Sequence, residues 1–206
     1  AFAQGLILGG VLQEIKVVDG QFAGGPLDWL TPFSVMCGLG LVAGYALLGA
    51  TWLLFKTEGD VERHARRMAA PLLLGLLSFI VVVSIWTPLQ IGRIADRWFT
   101  TPNIFFLAQV PVATALFSWL CWYGIRKGRP MLPFGSAIAI FLLAFGGLVV
   151  SNVPYLVPPT MTVWDAAAHP SSQMFYLIGA SILLPVILGY TVLVFWLFRG
   201  PVKAEE

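Results

Sequence analysis

Five stretches of this chain are long, apolar and free of Asp, Glu, Lys and Arg: about Pro32 to Phe55, Met68 to Ile91, Ile104 to Ile125, Phe134 to Val150 and Gln173 to Phe198. A helix rises about 1.5 Å per residue and the hydrocarbon core of a bilayer is about 30 Å thick, so roughly 20 apolar residues make a spanning helix. Lipid offers no water to backbone N–H and C=O groups, so each run must close its own hydrogen bonds as an α-helix. The expected fold is all-α, a polytopic transmembrane helical bundle. With 11% charged residues against 58% hydrophobic ones, the chain is far from a soluble domain, in which about 25% are charged. A net charge of +2 with no long basic run argues against nucleic acid and leaves membrane lipid as the surrounding partner.

The segments between the spans set the topology. Ala1 to Leu12 is apolar but about half a span long, and it reads as the end of a truncated transmembrane helix that starts outside this sequence. Residues 13–31 are expected as a loop, with Glu14, Lys16, Asp19 and Asp28 and the turn formers Gly20, Gly24, Gly25 and Pro26. Further loops are expected at 56–67, where a short helical turn fits the charged sequence KTEGDVERHARR, and at 92–103, 126–133 and 151–172, followed by a tail at 199–206. Five spans place these segments alternately on two sides. One side holds Lys56, Arg63, Arg66, Arg67, Arg126, Lys127, Arg129, Arg199 and Lys203; the other holds Lys16, Arg93 and Arg97. By the positive-inside rule the first set is cytoplasmic. Loops 56–67 and 126–133 and the C-terminal tail are then inner, and loops 13–31, 92–103 and 151–172 are outer.

Charge placement also limits chemistry. None of the ten acidic or twelve basic residues falls inside a span, whereas proton relays and ion paths use ionisable groups within the membrane. Both histidines lie in loops: His64 among Glu62, Arg63, Arg66 and Arg67 reads as solvated, and His169 reads as a structural hydrogen-bonding residue. No metal site is expected. Cys37 and Cys121 differ in depth by roughly 20 Å along their helices, too far for a disulfide. In GLGLVAGYALLGATW, Gly40 and Gly44 form a small-xxx-small pair suited to close helix packing. The 15 Phe, 8 Trp and 5 Tyr fit either an interfacial aromatic belt or a groove for a long apolar ligand such as a quinone or lipid tail.

Three segments, GGPLDWLTPFS at 24–34, GYALLGATWLLFKTEG at 44–59 and NVPYLVPPTMTVWDAAAHPSSQMFYLIGASILLPVILGYT at 152–191, together resemble subunit II of the cytochrome bd-type quinol oxidases, including the cyanide-insensitive ones. The resemblance extends over nearly the whole chain. It implies a heterodimer or slightly larger complex of the bacterial inner membrane, a terminal oxidase of aerobic respiration that oxidises quinol and reduces dioxygen to water. It places the b-type and d-type haems and the quinol-oxidation loop in subunit I, and leaves this chain a supporting partner that ligates no haem, with a structural quinone and small accessory subunits as further candidates. It also places proton-path acids in an N-terminal bundle that would precede Ala1. Within the resemblance the motif residues are Tyr155, Pro158, Pro159, Trp164, Asp165 and His169. Trp164 is expected to anchor the outer loop at the water-lipid boundary, and Asp165 to cap the turn Ala166 to Ala168 by accepting backbone N–H bonds. A multi-span transporter and a pure membrane scaffold are the alternatives.

Overall fold

The computed structural model describes residues 1–14, 17–18 and 21–198. Lys16, Asp19, Gly20 and the tail at 199–206 lie outside the described residues. The helices in chain order are α1 (Phe2–Leu12), α2 (Pro32–Lys56), α3 (Asp60–Gln90), α4 (Gly92–Phe99), α5 (Asn103–Leu107), α6 (Gln109–Lys127), α7 (Met131–Asn152) and α8 (Pro170–Leu197). Two small antiparallel pairs accompany them. β1 (Val17–Val18) meets β2 (Gln21–Phe22), and β3 (Tyr155–Val157) meets β4 (Met161–Thr162). Five helical segments, Pro32–Lys56, Asp60–Gln90, Asn103–Lys127, Met131–Asn152 and Pro170–Leu197, are long and apolar enough to cross a membrane. The chain is an all-α polytopic bundle.

Local chemistry explains where these helices start and stop. Pro32 occupies the first turn of α2, where its missing N–H costs nothing. Ahead of it Thr31 and Ser34 form a reciprocal box, each hydroxyl accepting the other's backbone N–H. α3 begins at Asp60, well before the apolar run, so the stretch expected as a loop with one helical turn is largely regular helix. Asp60 and Glu62 favour the positive end of the helix dipole and pair with Arg63 and Arg66 one turn on. At about 46 Å, 31 residues of helix exceed the hydrocarbon thickness, so the charged turns project beyond it. The third span is interrupted between α5 and α6 at Ala108. Pro111 is the cause, because it has no N–H to give to the carbonyl of Leu107. Gly128, in the left-handed region at φ +67°, closes α6, and the N–H groups of Gly128 and Arg129 both bond to the carbonyl of Gly124.

The core lies among α2, α3, α6 and α7. Leu47, Leu54, Leu73, Leu76, Cys121, Ile125 and Ile140 are buried there in one cluster. Polar groups inside this core are satisfied locally. Thr51, Thr87, Ser118 and Ser151 each donate to the carbonyl four residues earlier, which pairs these four hydroxyls within their own helices. α1 lies against α2 at very short range. A Cβ added at Gly9 would fall 2.5 Å from Ser34 Cα, and one at Gly5 would fall 2.6 Å from Gly38 Cα. The seam is therefore two small-xxx-small pairs facing each other. α8 stands apart from this bundle with no buried residue. It meets α2 at its C-terminal end, where Phe195 packs edge-on to Trp52 and the Lys56 ammonium donates to the Phe198 carbonyl.

Candidate functional site

At the end of the bundle where α2 begins and α3 ends, polar side chains from several elements converge. Gln13 closes α1 and donates to Gln90 Oε1 at 3.0 Å, while its own Oε1 accepts the Thr31 hydroxyl. These contacts tie α1, α2 and α3 together. Next to them lies α4, where a loop was expected. Its pattern is that of a short interfacial helix, with Ile94 fully buried on one side and Arg93 and Arg97 spaced i, i+4 on the other. The Arg93 Nε meets Glu14 Oε1 at 3.5 Å and its Nη1 meets the Ser151 carbonyl at 3.4 Å. Its guanidinium carbon sits 5.3 Å from the centre of the Tyr155 ring. Trp98 Nε1 donates to Ser151 Oγ at 2.9 Å, and Arg97 donates to the Val153 carbonyl.

α4 thus clamps the end of α7 and the entry to the β3–β4 hairpin. Two buried polar atoms in this layer, Arg93 Nη2 and Asn152 Oδ1, have no hydrogen-bond partner among the described residues. The layer holds structure, with Arg93 paired to Glu14 and Asp96 carried on the same short helix as the two arginines. In the sequence Arg93 and Arg97 stand as charges of an expected loop, with Trp98 beside them. Their signal is the spacing Ile91, Ile94, Trp98 against Arg93, Arg97, two faces of one short helix.

The six motif residues do not converge on one point. Tyr155 lies half-buried under Arg93. Pro158 is fully buried, Pro159 is exposed, and Trp164 is 70% exposed. Asp165 caps in the opposite direction from the one expected. Its Oδ2 accepts from the Thr162 N–H at 3.1 Å and hydroxyl at 2.6 Å, and the Asp165 N–H donates to Thr162 Oγ1 at 3.2 Å. Thr162-Val163-Trp164-Asp165 is a capping box, in which the acid reaches back to the first residue rather than forward over Ala166 to Ala168. The Thr162 hydroxyl and then its backbone N–H hold the Asp165 carboxyl below the usual carboxylate range. His169 caps α8, its Nδ1 lying 2.8 Å from Ser171 Oγ and accepting the Ser171 N–H.

Gly40 faces α3, where an added Cβ would meet Phe79 Cβ at 3.2 Å, and Gly44 faces α7, where it would meet Phe141 Cζ at 2.7 Å. At the opposite end of the bundle His64 rims a groove of about 630 Å³ between α2 and α3, lined also by Gly49, Leu53, Val61 and Met68. Among the described residues no three His, Cys, Asp or Glu side chains come together as a metal-binding group. His64 and His169 are both exposed near helix N-termini.

Comparison with known proteins bears on the whole chain. The family of cytochrome bd terminal oxidase subunit II matches residues 1–198. Cytochrome bd-I ubiquinol oxidase subunit 2 of Escherichia coli K12 is 22% identical over 239 residues, covering 98% of this chain and 62% of its own length. Cytochrome bd ubiquinol oxidase subunit 2 of Bacillus subtilis 168 is 22% identical over 186 residues, covering 87% of this chain and 53% of its own. The chain spans about three fifths of the length of the E. coli relative.

Proposed function

The chain belongs to the cytochrome bd terminal oxidase subunit II family, and on that premise we propose that it is the supporting subunit of a membrane quinol:oxygen oxidoreductase. Its partner, subunit I, carries the b-type and d-type haems, oxidises quinol and reduces dioxygen to water. This chain contributes no haem ligand and packs against that subunit in a bacterial inner membrane. The basic end, with Arg66, Arg126, Lys127 and Arg129, faces the cytoplasm together with the C-terminus; the α4 layer and the β3–β4 hairpin face outward. In this reading α4 and the hairpin form a rigid outer cap, with Tyr155, Pro158 and Asp165 keeping its shape and Trp164 resting at the boundary.

The observation that carries the reading is the family match across residues 1–198. The lack of buried residues along α8 agrees with a subunit that packs against a partner. Deleting the gene while keeping subunit I tests it. Quinol-driven oxygen consumption by the membranes should fall to background and return on complementation; undiminished consumption through the same oxidase would refute it.

A further inference from the structure

The short turn between α6 and α7, Arg126-Lys127-Gly128-Arg129, carries three cations, and residues 126–133 contain no acid. Among the described residues none of the three forms an ion pair. They are not occupied with the carbonyl end of α6 either. The Gly124 carbonyl accepts backbone N–H groups, and the Ile125 carbonyl accepts Arg66 Nη1 at 2.6 Å. Instead the arginines rest on aromatic faces. The Arg126 guanidinium carbon lies 4.6 Å from the centre of the Trp122 ring, and that of Arg129 lies 5.7 Å from the Tyr123 ring. A guanidinium held by a ring keeps its in-plane N–H donors free for an oxyanion.

Below them the same helix continues the shape. Tyr123 stacks on Trp119 at 5.7 Å between ring centres, and Trp119, Leu116 and Val112 are exposed at i, i+4, i+7 spacing on the same face. From Val112 to Tyr123 this stripe is about 16 Å long, close to half the hydrocarbon thickness, which is the depth of one leaflet. Beside the cations a shallow groove of about 520 Å³ is lined by Gly128, Arg129, Pro130, Met131 and Leu132. Free donors, interfacial rings and an aliphatic stripe one leaflet deep follow one another in the order phosphate, glycerol and acyl chain.

We propose that this surface is a binding site for an anionic phospholipid, its phosphate held by Arg126, Lys127 and Arg129 and one acyl chain lying along Trp119, Leu116 and Val112. The site is independent of the oxidase reading, since it needs only a membrane with acidic lipid. Neutral phosphatidylcholine offers the same chains, but its choline cation offsets the phosphate, so discrimination comes from net charge.

The test uses the full-length chain in the complex with which it purifies, exchanged into mixed micelles of phosphatidylglycerol and phosphatidylcholine, with retained lipid counted by native mass spectrometry. A preference for phosphatidylglycerol of roughly fivefold per engaged cation is expected. The triple variant Arg126→Gln/Lys127→Gln/Arg129→Gln should lose it, while Arg63→Gln/Arg67→Gln on α3 should keep it. Equal retention by parent and triple variant would overturn the site. If the triple variant does not assemble, fluorescence decides. The part of tryptophan emission lost in Trp119→Phe should be quenched more by brominated phosphatidylglycerol than by brominated phosphatidylcholine, and equal quenching would overturn the proposal.

Discussion

Gly9→Ala tests the closest helix contact in the molecule. The added methyl would stand 2.5 Å from Ser34 Cα and 3.0 Å from Ser34 Cβ, whereas carbon atoms settle at about 3.5–4.0 Å. The neighbour is backbone in the capped first turn of α2, so it cannot swing aside. α1 must retreat by about 1 Å, which loosens the facing Gly5–Gly38 contact as well. Overpacking costs about 1–3 kcal/mol, and a backbone neighbour that cannot move aside puts this case at about 2–3 kcal/mol. The better helix propensity of Ala returns about 1 kcal/mol, so a net loss of about 1–2 kcal/mol is expected. For a chain of this size that corresponds to a fall in Tm of about 2–8 °C. Gly5→Ala should act alike, and the double variant should cost less than the sum, since one displacement relieves both clashes. Gly49→Ala is the control, with nothing within 4 Å of its added methyl. Thermal unfolding of the detergent-solubilised protein, followed by circular dichroism, measures all four. A Gly9→Ala protein melting at or above the parent would refute the α1–α2 seam.

Arg93→Gln removes the contacts to Glu14, the Ser151 carbonyl and the Tyr155 ring at once; a loss of about 1–3 kcal/mol in holding the outer layer should appear as faster proteolysis between residues 153 and 169, and an unchanged cleavage rate would count against the clamp. Pro111→Ala supplies the N–H missing opposite the Leu107 carbonyl, so α5 and α6 should fuse and amide exchange near Ala108 should slow. Asp165 has a lowered folded-state pKa, so its hydrogen bonds to Thr162 contribute fully above the unfolded value of about 3.9 and fade as pH falls through the lower folded value. The Asp165 side-chain carbon resonance should therefore titrate below that of a peptide Asp in the parent and move up in Thr162→Val; an unshifted midpoint would sink the capping box.

The spanning segments were legible because a charge-free run of about 20 residues admits one solution in lipid whatever its detailed order. The ends were less so. Asp60 to Arg67 is polar, which reads as loop, yet its acids and bases are placed to extend a helix past the membrane. α4 was hidden for a related reason: eight residues with two arginines and an aspartate look solvated, and only the matching of Ile94 to the core and of Arg93 to Glu14 and Ser151 makes them a helix face. Asp165 was recognised as a cap, but the Thr162 three residues earlier, which completes the box, was in plain view. Gly40 and Gly44 carried the small-residue spacing and do face other helices. The tighter α1–α2 seam combines Gly5 and Gly9 with Ser34 and Gly38 from segments far apart in sequence, so no single stretch displays it.

The most direct test of the central claim is a reduced-minus-oxidised absorption spectrum of the complex purified through a tag on the full-length chain, recorded beside that of the chain expressed without its partner. The account predicts b-type and d-type haem bands in the complex and none in the lone chain. Haem bands in the lone chain would contradict the assignment of every haem to the partner, and their absence from both preparations would contradict membership of a haem-bearing oxidase.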